Sequence, residues 1–110
     1  MTYKKVLVVD DDRNSRVALG LYLEDMGMET DLAQSREKAM ELVRGKPYDL
    51  CISDGLEGEW ILLHDDIKSI NRSTKFILLS GDSDQIDKAR EFNIEAYGKD
   101  NVNILLNSLK

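Results

Sequence analysis

Val6-Leu7-Val8-Val9 is an unbroken apolar run that stops at three aspartates, Asp10-Asp11-Asp12. A strand with one face in water alternates apolar and polar residues. A strand apolar at every position has both faces covered, as in parallel sheets flanked by helices. The same pattern returns in Asp49-Leu50-Cys51-Ile52-Ser53, which ends at Asp54, and in Phe76-Ile77-Leu78-Leu79, which ends at Ser80-Gly81. Two weaker strands complete the set. Met28, Thr30 and Leu32 alternate with polar residues, which suits an edge, and Ile94 to Tyr97 is short.

Helical segments separate these strands. Asp12 is a candidate N-cap for the first, where Val17, Leu21 and Ala18, Tyr22 recur at i, i+4, and Gly27 is its stop. Ser35 caps a second, with Ala39, Leu42 and Val43 facing inward, and Pro47 ends it. A third carries Leu63, Ile67 and Ile70 on one face, and a fourth holds Ile86 and Ala89. Val102 to Leu109 predicts a short fifth. Strand and helix alternate five times, which predicts an α/β sandwich with right-handed crossovers.

The 110 residues fit one compact domain over 1–110, without a linker or low-complexity segment. A net charge of -6 argues against direct nucleic-acid binding, which is driven by cations meeting phosphates. It argues equally against an anionic membrane surface. Cys51 stands alone in an apolar run, so it reads as a core residue in a reducing compartment. No Cys/His set forms a zinc site, and His64 reads as a helix-surface residue. Met1 to Lys5 carries no signal-like apolar stretch and no run approaches transmembrane length, so the expected location is the cytoplasm.

The chemistry gathers where the strands end. In an open parallel sheet, ligands bind beyond the carboxyl ends of the strands, where the strand order reverses. With the order 2-1-3-4-5, Asp10 and Asp11 after the first strand face Asp54 after the third. Three carboxylates in one cleft repel one another and call for a cation; an all-oxygen donor set suits Mg²⁺. A carboxylate can also act as a nucleophile and form an aspartyl phosphate. The Ser80 hydroxyl can bond a phosphoryl oxygen, and the Lys99 ammonium can pair with it. Each feature has an ordinary reading too. Acids favour helix starts, Asp54-Gly55 and Ser80-Gly81 are turn dipeptides, and Tyr97 can simply cover the sheet edge. Trp60 reads as packing.

The ordered set Lys5-Val6-Leu7-Val8-Val9-Asp10-Asp11-Asp12, Asp54, Ser80-Gly81, Tyr97 and Lys99 resembles the receiver domains of two-component response regulators over nearly the whole chain. The resemblance implies a flavodoxin-like (βα)5 fold in three layers, with a parallel five-stranded sheet of order 2-1-3-4-5. It implies Asp10 and Asp11 as Mg²⁺-binding acids and Asp54 as the phosphoacceptor and third acid. The backbone carbonyl of Leu56 is then a further metal ligand. It implies Ser80 as the hydroxyl that follows the phosphoryl group, Gly81 as the small residue that leaves it room, Lys99 as its cation and Tyr97 as the aromatic switch. The implied partners are a histidine kinase or phosphotransfer protein and a downstream protein target, with no direct nucleic acid and no membrane.

The chain also departs from that family. The loop after Asp54 is short, and Gly58 stands where a proline is usual. Lys99 is followed by Asp100 instead of proline, with one residue fewer between Tyr97 and Lys99. A cis bond is expensive outside X-Pro, so Lys99-Asp100 is expected to be trans, with Gly98 supplying an unusual backbone conformation. Two other functions fit parts of the pattern. One is a degenerate receiver that binds partners without phosphorylation. The other is a small phosphatase of the haloacid dehalogenase type, whose nucleophile is Asp10 in Asp10-x-Asp12.

Overall fold

The computed structural model describes residues 3–110, so Met1 and Thr2 of the leader reading lie outside the described residues. Strands β1 (Lys5–Val9), β2 (Glu29–Ala33), β3 (Leu50–Ser53), β4 (Lys75–Ser80) and β5 (Glu95–Gly98) form one sheet of order β2-β1-β3-β4-β5. Every adjacent pair is parallel. Helices α1 (Arg13–Asp25), α2 (Arg36–Gly45), α3 (Trp60–Ile70), α4 (Ser83–Glu91) and α5 (Val102–Ser108) alternate with the strands. This is the α/β sandwich expected from the alternation and the flavodoxin-like (βα)5 fold that the resemblance implies.

The sheet separates two cores, and β1 feeds both. Val6 and Val8 join Leu19 and Leu23 of α1 and Leu105 of α5 on one face. Leu7 and Val9 join Val43 of α2, Leu63 and Ile67 of α3, and Ala89 of α4 on the other. Successive side chains of a strand point to opposite faces, which is why no polar residue fits in this run. β2 is the expected edge, with Glu29 and Leu32 exposed.

Several local details differ from expectation. The third strand begins at Leu50, and the Asp49 carboxylate just before it accepts the backbone N–H groups of Lys4 and Lys5, each at 2.9 Å. The inward stripe of α1 is Leu19, Gly20 and Leu23, while Leu21 and Tyr22 lie outside at 62% and 56% exposure. Gly20 decides this rotation: a β-carbon there would stand 3.0 Å from Leu32 Cδ2, so the helix rests its bare backbone on the edge strand. Ile70 of α3 is half exposed, leaving Leu63 and Ile67 to pack.

The caps follow the sequence reading. Asp12 accepts the Ser15 N–H at 3.0 Å and Ser35 that of Lys38 at 3.1 Å. Gly27 takes φ +90° after α1. No described peptide bond is cis, so Lys99-Asp100 is trans. Gly98 is ordinary extended backbone at φ -73°, ψ 150°, so the turn does not use a glycine-only conformation. What a side chain there would meet is the Asp100 carboxylate, 2.6 Å from the β-carbon position. No described helix is long and apolar enough to cross a membrane.

Candidate functional site

The carboxyl ends of β1, β3, β4 and β5 deliver the site. Asp10 and Asp54 each extend their strand's ladder by one bond, Asp10 N–H to Ala33 O at 3.0 Å and Asp54 N–H to Val9 O at 2.7 Å. Both acids are therefore fixed by backbone before their side chains make any contact. Carboxylate oxygens of Asp10, Asp11 and Asp54 all lie within 4.8 Å of one another. Asp10 is buried, Asp54 intermediate and Asp11 exposed, so the cluster runs from floor to mouth.

Lys99 reaches over from the end of β5. Its Nζ stands 2.9 Å from Asp54 Oδ1 and 3.2 Å from Asp10 Oδ2. Burial pulls the Lys99 ammonium toward neutrality. Its bond to Asp54 and the charges of Asp10 and Asp54 outweigh that and leave its pKa above the ordinary lysine value. The Asp10 carboxyl is pushed up, chiefly by burial. The Asp12 backbone N–H, which Asp10 Oδ1 accepts at 2.9 Å, works against that shift, while the Asp54 charge adds to it. Asp12 itself is occupied with Ser15, whose N–H and hydroxyl both donate to Asp12 Oδ2.

Ser80 is buried at the end of β4, and its Oγ accepts the Asp82 N–H at 3.0 Å. A β-carbon on Gly55 would come within 3.3 Å of that oxygen, so the loop after Asp54 passes directly beneath Ser80. Nothing stands within 4 Å of a β-carbon placed on Gly81, so the space beside Ser80 is open. Leu56 takes φ +50°, buries its side chain, and donates its N–H to Asp54 Oδ2 at 3.4 Å. Its carbonyl already accepts the Glu59 N–H at 3.0 Å, which leaves one lone pair. Tyr97 is half-buried on the α1–α5 face, and its hydroxyl donates to Glu95 Oε2 at 2.7 Å. Glu95 is also held by Lys75, at 2.8 Å.

Sequence reasoning missed two contacts at this end of the sheet. Arg16 sends Nη1 to the Asp10 carbonyl at 2.8 Å. Gln85 accepts the Trp60 indole N–H at 2.6 Å. The place of Arg16 one turn past the Asp12 cap was a usable signal for the first, and nothing in the sequence pointed to the second.

A cavity of about 160 Å³ lies beside Asp10 and Lys99, between α1 and Val102. A larger one of about 330 Å³ opens at the far end of the sheet, lined by Val43, Lys46, Tyr48 and Thr74 among others, and no carboxylate lines it. The acid cluster thus belongs to the strand ends and not to this larger cavity.

The family model described as response regulator receiver domain matches residues 6–99, which takes in all the strand-end residues above. The chain belongs to the receiver domain family of two-component response regulators. Among solved structures, this receiver is similar to response regulator TrrA from Thermotoga maritima in complex with Mg(2+)-BeF, at 28% identity and a TM-score of 0.77. That match covers 97% of this chain and 99% of the other. A receiver domain protein from Clostridium thermocellum shares the fold at 23% identity, with a TM-score of 0.79 over 96% and 93% of the two chains. By sequence, the receiver is 37% identical over 54 residues to the response regulator protein PilR of Pseudomonas aeruginosa. The match covers 49% of this chain and only 12% of that much longer protein.

Proposed function

We propose that this receiver accepts a phosphoryl group on Asp54 from a phosphohistidine-bearing kinase or phosphotransfer protein, and that the whole chain acts as a single domain in the cytoplasm. The observation that carries the reading is Lys99 bridging Asp54 and Asp10 inside a cluster of three acids.

Asp54 suits the nucleophile's role better than Asp10. Both Asp10 oxygens are engaged, one by the Asp12 N–H and one by Lys99, and its side chain is 8% exposed. Asp54 is more open, at 14%, and its Oδ2 meets only the long 3.4 Å contact from Leu56 N–H. The phosphatase alternative also needs Asp12 as an acid beside Asp10, and Asp12 is committed to capping α1. An Asp54 oxygen attacks phosphorus, the new O–P bond forms, and the bond to the donor's imidazole nitrogen breaks. The electron pair leaves with the imidazole, which then takes a proton. No further protein group has to enter covalently, because positioning and charge neutralisation carry phosphoryl transfer.

The donor set fits Mg²⁺. It is all oxygen, from the Asp10, Asp11 and Asp54 carboxylates, and the free lone pair of the Leu56 carbonyl is the further ligand we assign to it. Bound there, Mg²⁺ would offset the mutual repulsion of the acids and the charge on the incoming phosphoryl oxygens. Lys99 pairs with one of those oxygens and the Ser80 hydroxyl with another. Tyr97, on the α1–α5 face of β5, follows the movement of Ser80 and passes it to a downstream protein.

The test is intact-mass analysis after incubation with a small acyl phosphate and Mg²⁺, followed by reductive trapping and peptide mapping. One phosphoryl group on Asp54 supports the reading. Label on Asp10 supports a phosphatase. No label, together with no beryllofluoride binding, supports a phosphorylation-independent interaction module.

A further inference from the structure

Helix α4 sits directly above the candidate phosphoacceptor loop, and the apolar packing of its first turn comes from one half-buried residue, Ile86. Ala89, near its far end, is its buried residue, and Ser83 and Asp84 are exposed. Beside Ile86, polar contacts hold the first turn. Asp82 caps the helix through the Asp84 N–H at 2.9 Å, and its own N–H is tied to Ser80 Oγ at 3.0 Å. Gln85, one residue further on, accepts the Trp60 Nε1–H at 2.6 Å.

Trp60 is a rigid post. It is fully buried, stacks on Phe76 of β4 with ring centroids 6.3 Å apart, and donates its backbone N–H to the Gly55 carbonyl at 3.4 Å. A β-carbon on Gly55 would meet Ser80 Oγ at 3.3 Å and Gln85 Cγ at 3.9 Å. The stretch after Asp54 therefore lies under both Ser80 and Gln85, and the indole locks the second of these to the same backbone.

We propose that Gln85, through its bond to Trp60, is a positioning residue for phosphoryl acceptance: it holds the first turn of α4, and with it the Ser80 hydroxyl, in register with the Asp54 loop. The reaction concerned is the one put forward above, and the inference rests on that reading. Without the bond, the first turn of α4 lifts from Gly55. The Ser80 hydroxyl turns with it, because its oxygen is tied to the same turn through Asp82, while the Ser80 backbone stays in the β4 ladder. The carboxylates stay where they are, since Asp10 and Asp54 are fixed by the β1 and β3 ladders.

Two variants remove the bond from either end, and of these Gln85→Met also keeps the side-chain volume. Trp60→Phe removes the donor and keeps an aromatic post, and Gln85→Met removes the acceptor at similar length. Each is expected to slow phosphorylation of Asp54 by a small acyl phosphate about fivefold, the effect of one ordinary hydrogen bond. Mg²⁺ affinity by calorimetry should stay within about twofold of the parent, which general loosening of the site would not allow. The double variant should be no slower than the worse single one, because both remove the same bond. Unchanged rates, a matching loss of Mg²⁺ affinity, or fully additive slowing would each overturn the proposal. If the parent takes no phosphoryl group at all, the functional reading fails by itself, and amide hydrogen exchange then judges the latch. Faster exchange of residues 83–86 in both variants supports it, and unchanged exchange overturns it.

Discussion

Lys99 Nζ lies between Asp54 and Asp10, 2.9 Å from one carboxylate and 3.2 Å from the other. A lysine in that place is an internal counter-ion, and any metal entering the acid cluster must share the same oxygens with it. Lys99→Met is therefore expected to tighten Mg²⁺ binding while slowing phosphorylation. The repulsion removed is about 2 kcal/mol for a single and a double charge ~4 Å apart in a water-like dielectric, or about thirtyfold in affinity. The lower end of the Coulomb range applies because the lysine side chain is 33% exposed. Calorimetry at low salt measures it; weaker Mg²⁺ binding in the variant would mean that Lys99 supports the metal site instead of competing for it.

Asp11 and Asp12 are neighbours with separable jobs, one at the mouth of the acid cluster and one capping α1. Asp12→Ala should lower the urea midpoint through the lost cap and leave Mg²⁺ affinity near that of the parent. Asp11→Asn should do the reverse, with an unchanged urea midpoint and Mg²⁺ binding weaker by about an order of magnitude, a loss typical of groups around a metal. Denaturant unfolding and calorimetry on the two variants read both effects. Equal loss of Mg²⁺ affinity in the two would place Asp12 in the metal set.

Asp10, Asp54 and Ser80 are legible in the sequence because each directly follows a run too apolar to be anything but a two-sided strand. Lys99 is legible because it closes the last, weaker strand. Their convergence then follows from the strand order. Gln85 carries no such signal. It stands in the polar stretch Ser83-Asp84-Gln85, and its partner Trp60 is 25 residues away, joined to it only by the packing of α3 beside α4. The inward face of α1 is likewise not decided by periodicity. Val17/Leu21 and Ala18/Tyr22 have helical spacing as good as that of Leu19/Leu23, and the choice is made by the contact of Gly20 with Leu32 across the edge strand. The one-residue shift of the fifth strand, to Glu95–Gly98, reflects its register on β4, where Ile77 faces Glu95.

Away from the site, Asp31 of β2 accepts both the Lys46 ammonium at 2.7 Å and the Tyr48 hydroxyl at 2.6 Å. The bond from Lys46, seconded by that from Tyr48, holds the Asp31 carboxyl below the usual aspartate range. Burial, with the Asp31 bond behind it, pushes the Tyr48 phenol up. The signs differ at the two ends of the pH scale. Asp31 contributes stability that is present above its unfolded pKa of about 3.9 and is lost as pH falls through the lower folded value. Tyr48 contributes stability that is present below about 10 and is lost as pH rises toward its raised folded value. Urea midpoints measured across pH should therefore fall at both extremes. Asp31→Asn should flatten the acid limb and Tyr48→Phe the alkaline one; parent-like limbs in both variants would remove this trio from the pH response.

The loop after Asp54 also carries backbone strain. Leu56 and Glu57 both adopt left-handed conformations, at φ +50° and +54°, ahead of Gly58 at +94°. For a residue with a β-carbon that region costs about 1–2 kcal/mol. Leu56 is held there by its buried side chain and by the Glu59 N–H on its carbonyl. Glu57 is exposed, and no hydrogen bond or ion pair holds its side chain among the described residues. Glu57→Gly should accordingly stabilise the fold, by about 0.5–1 kcal/mol once the extra freedom glycine gives the unfolded chain is subtracted. Thermal unfolding should register this as a rise of roughly 2–6 °C. Leu56→Gly relieves the same strain but empties a buried site, so it should destabilise by about 2 kcal/mol or more. The opposite signs at adjacent residues are the point of the comparison. If Glu57→Gly also destabilised the protein, the left-handed turn would be held by interactions of the Glu57 side chain that outweigh its strain.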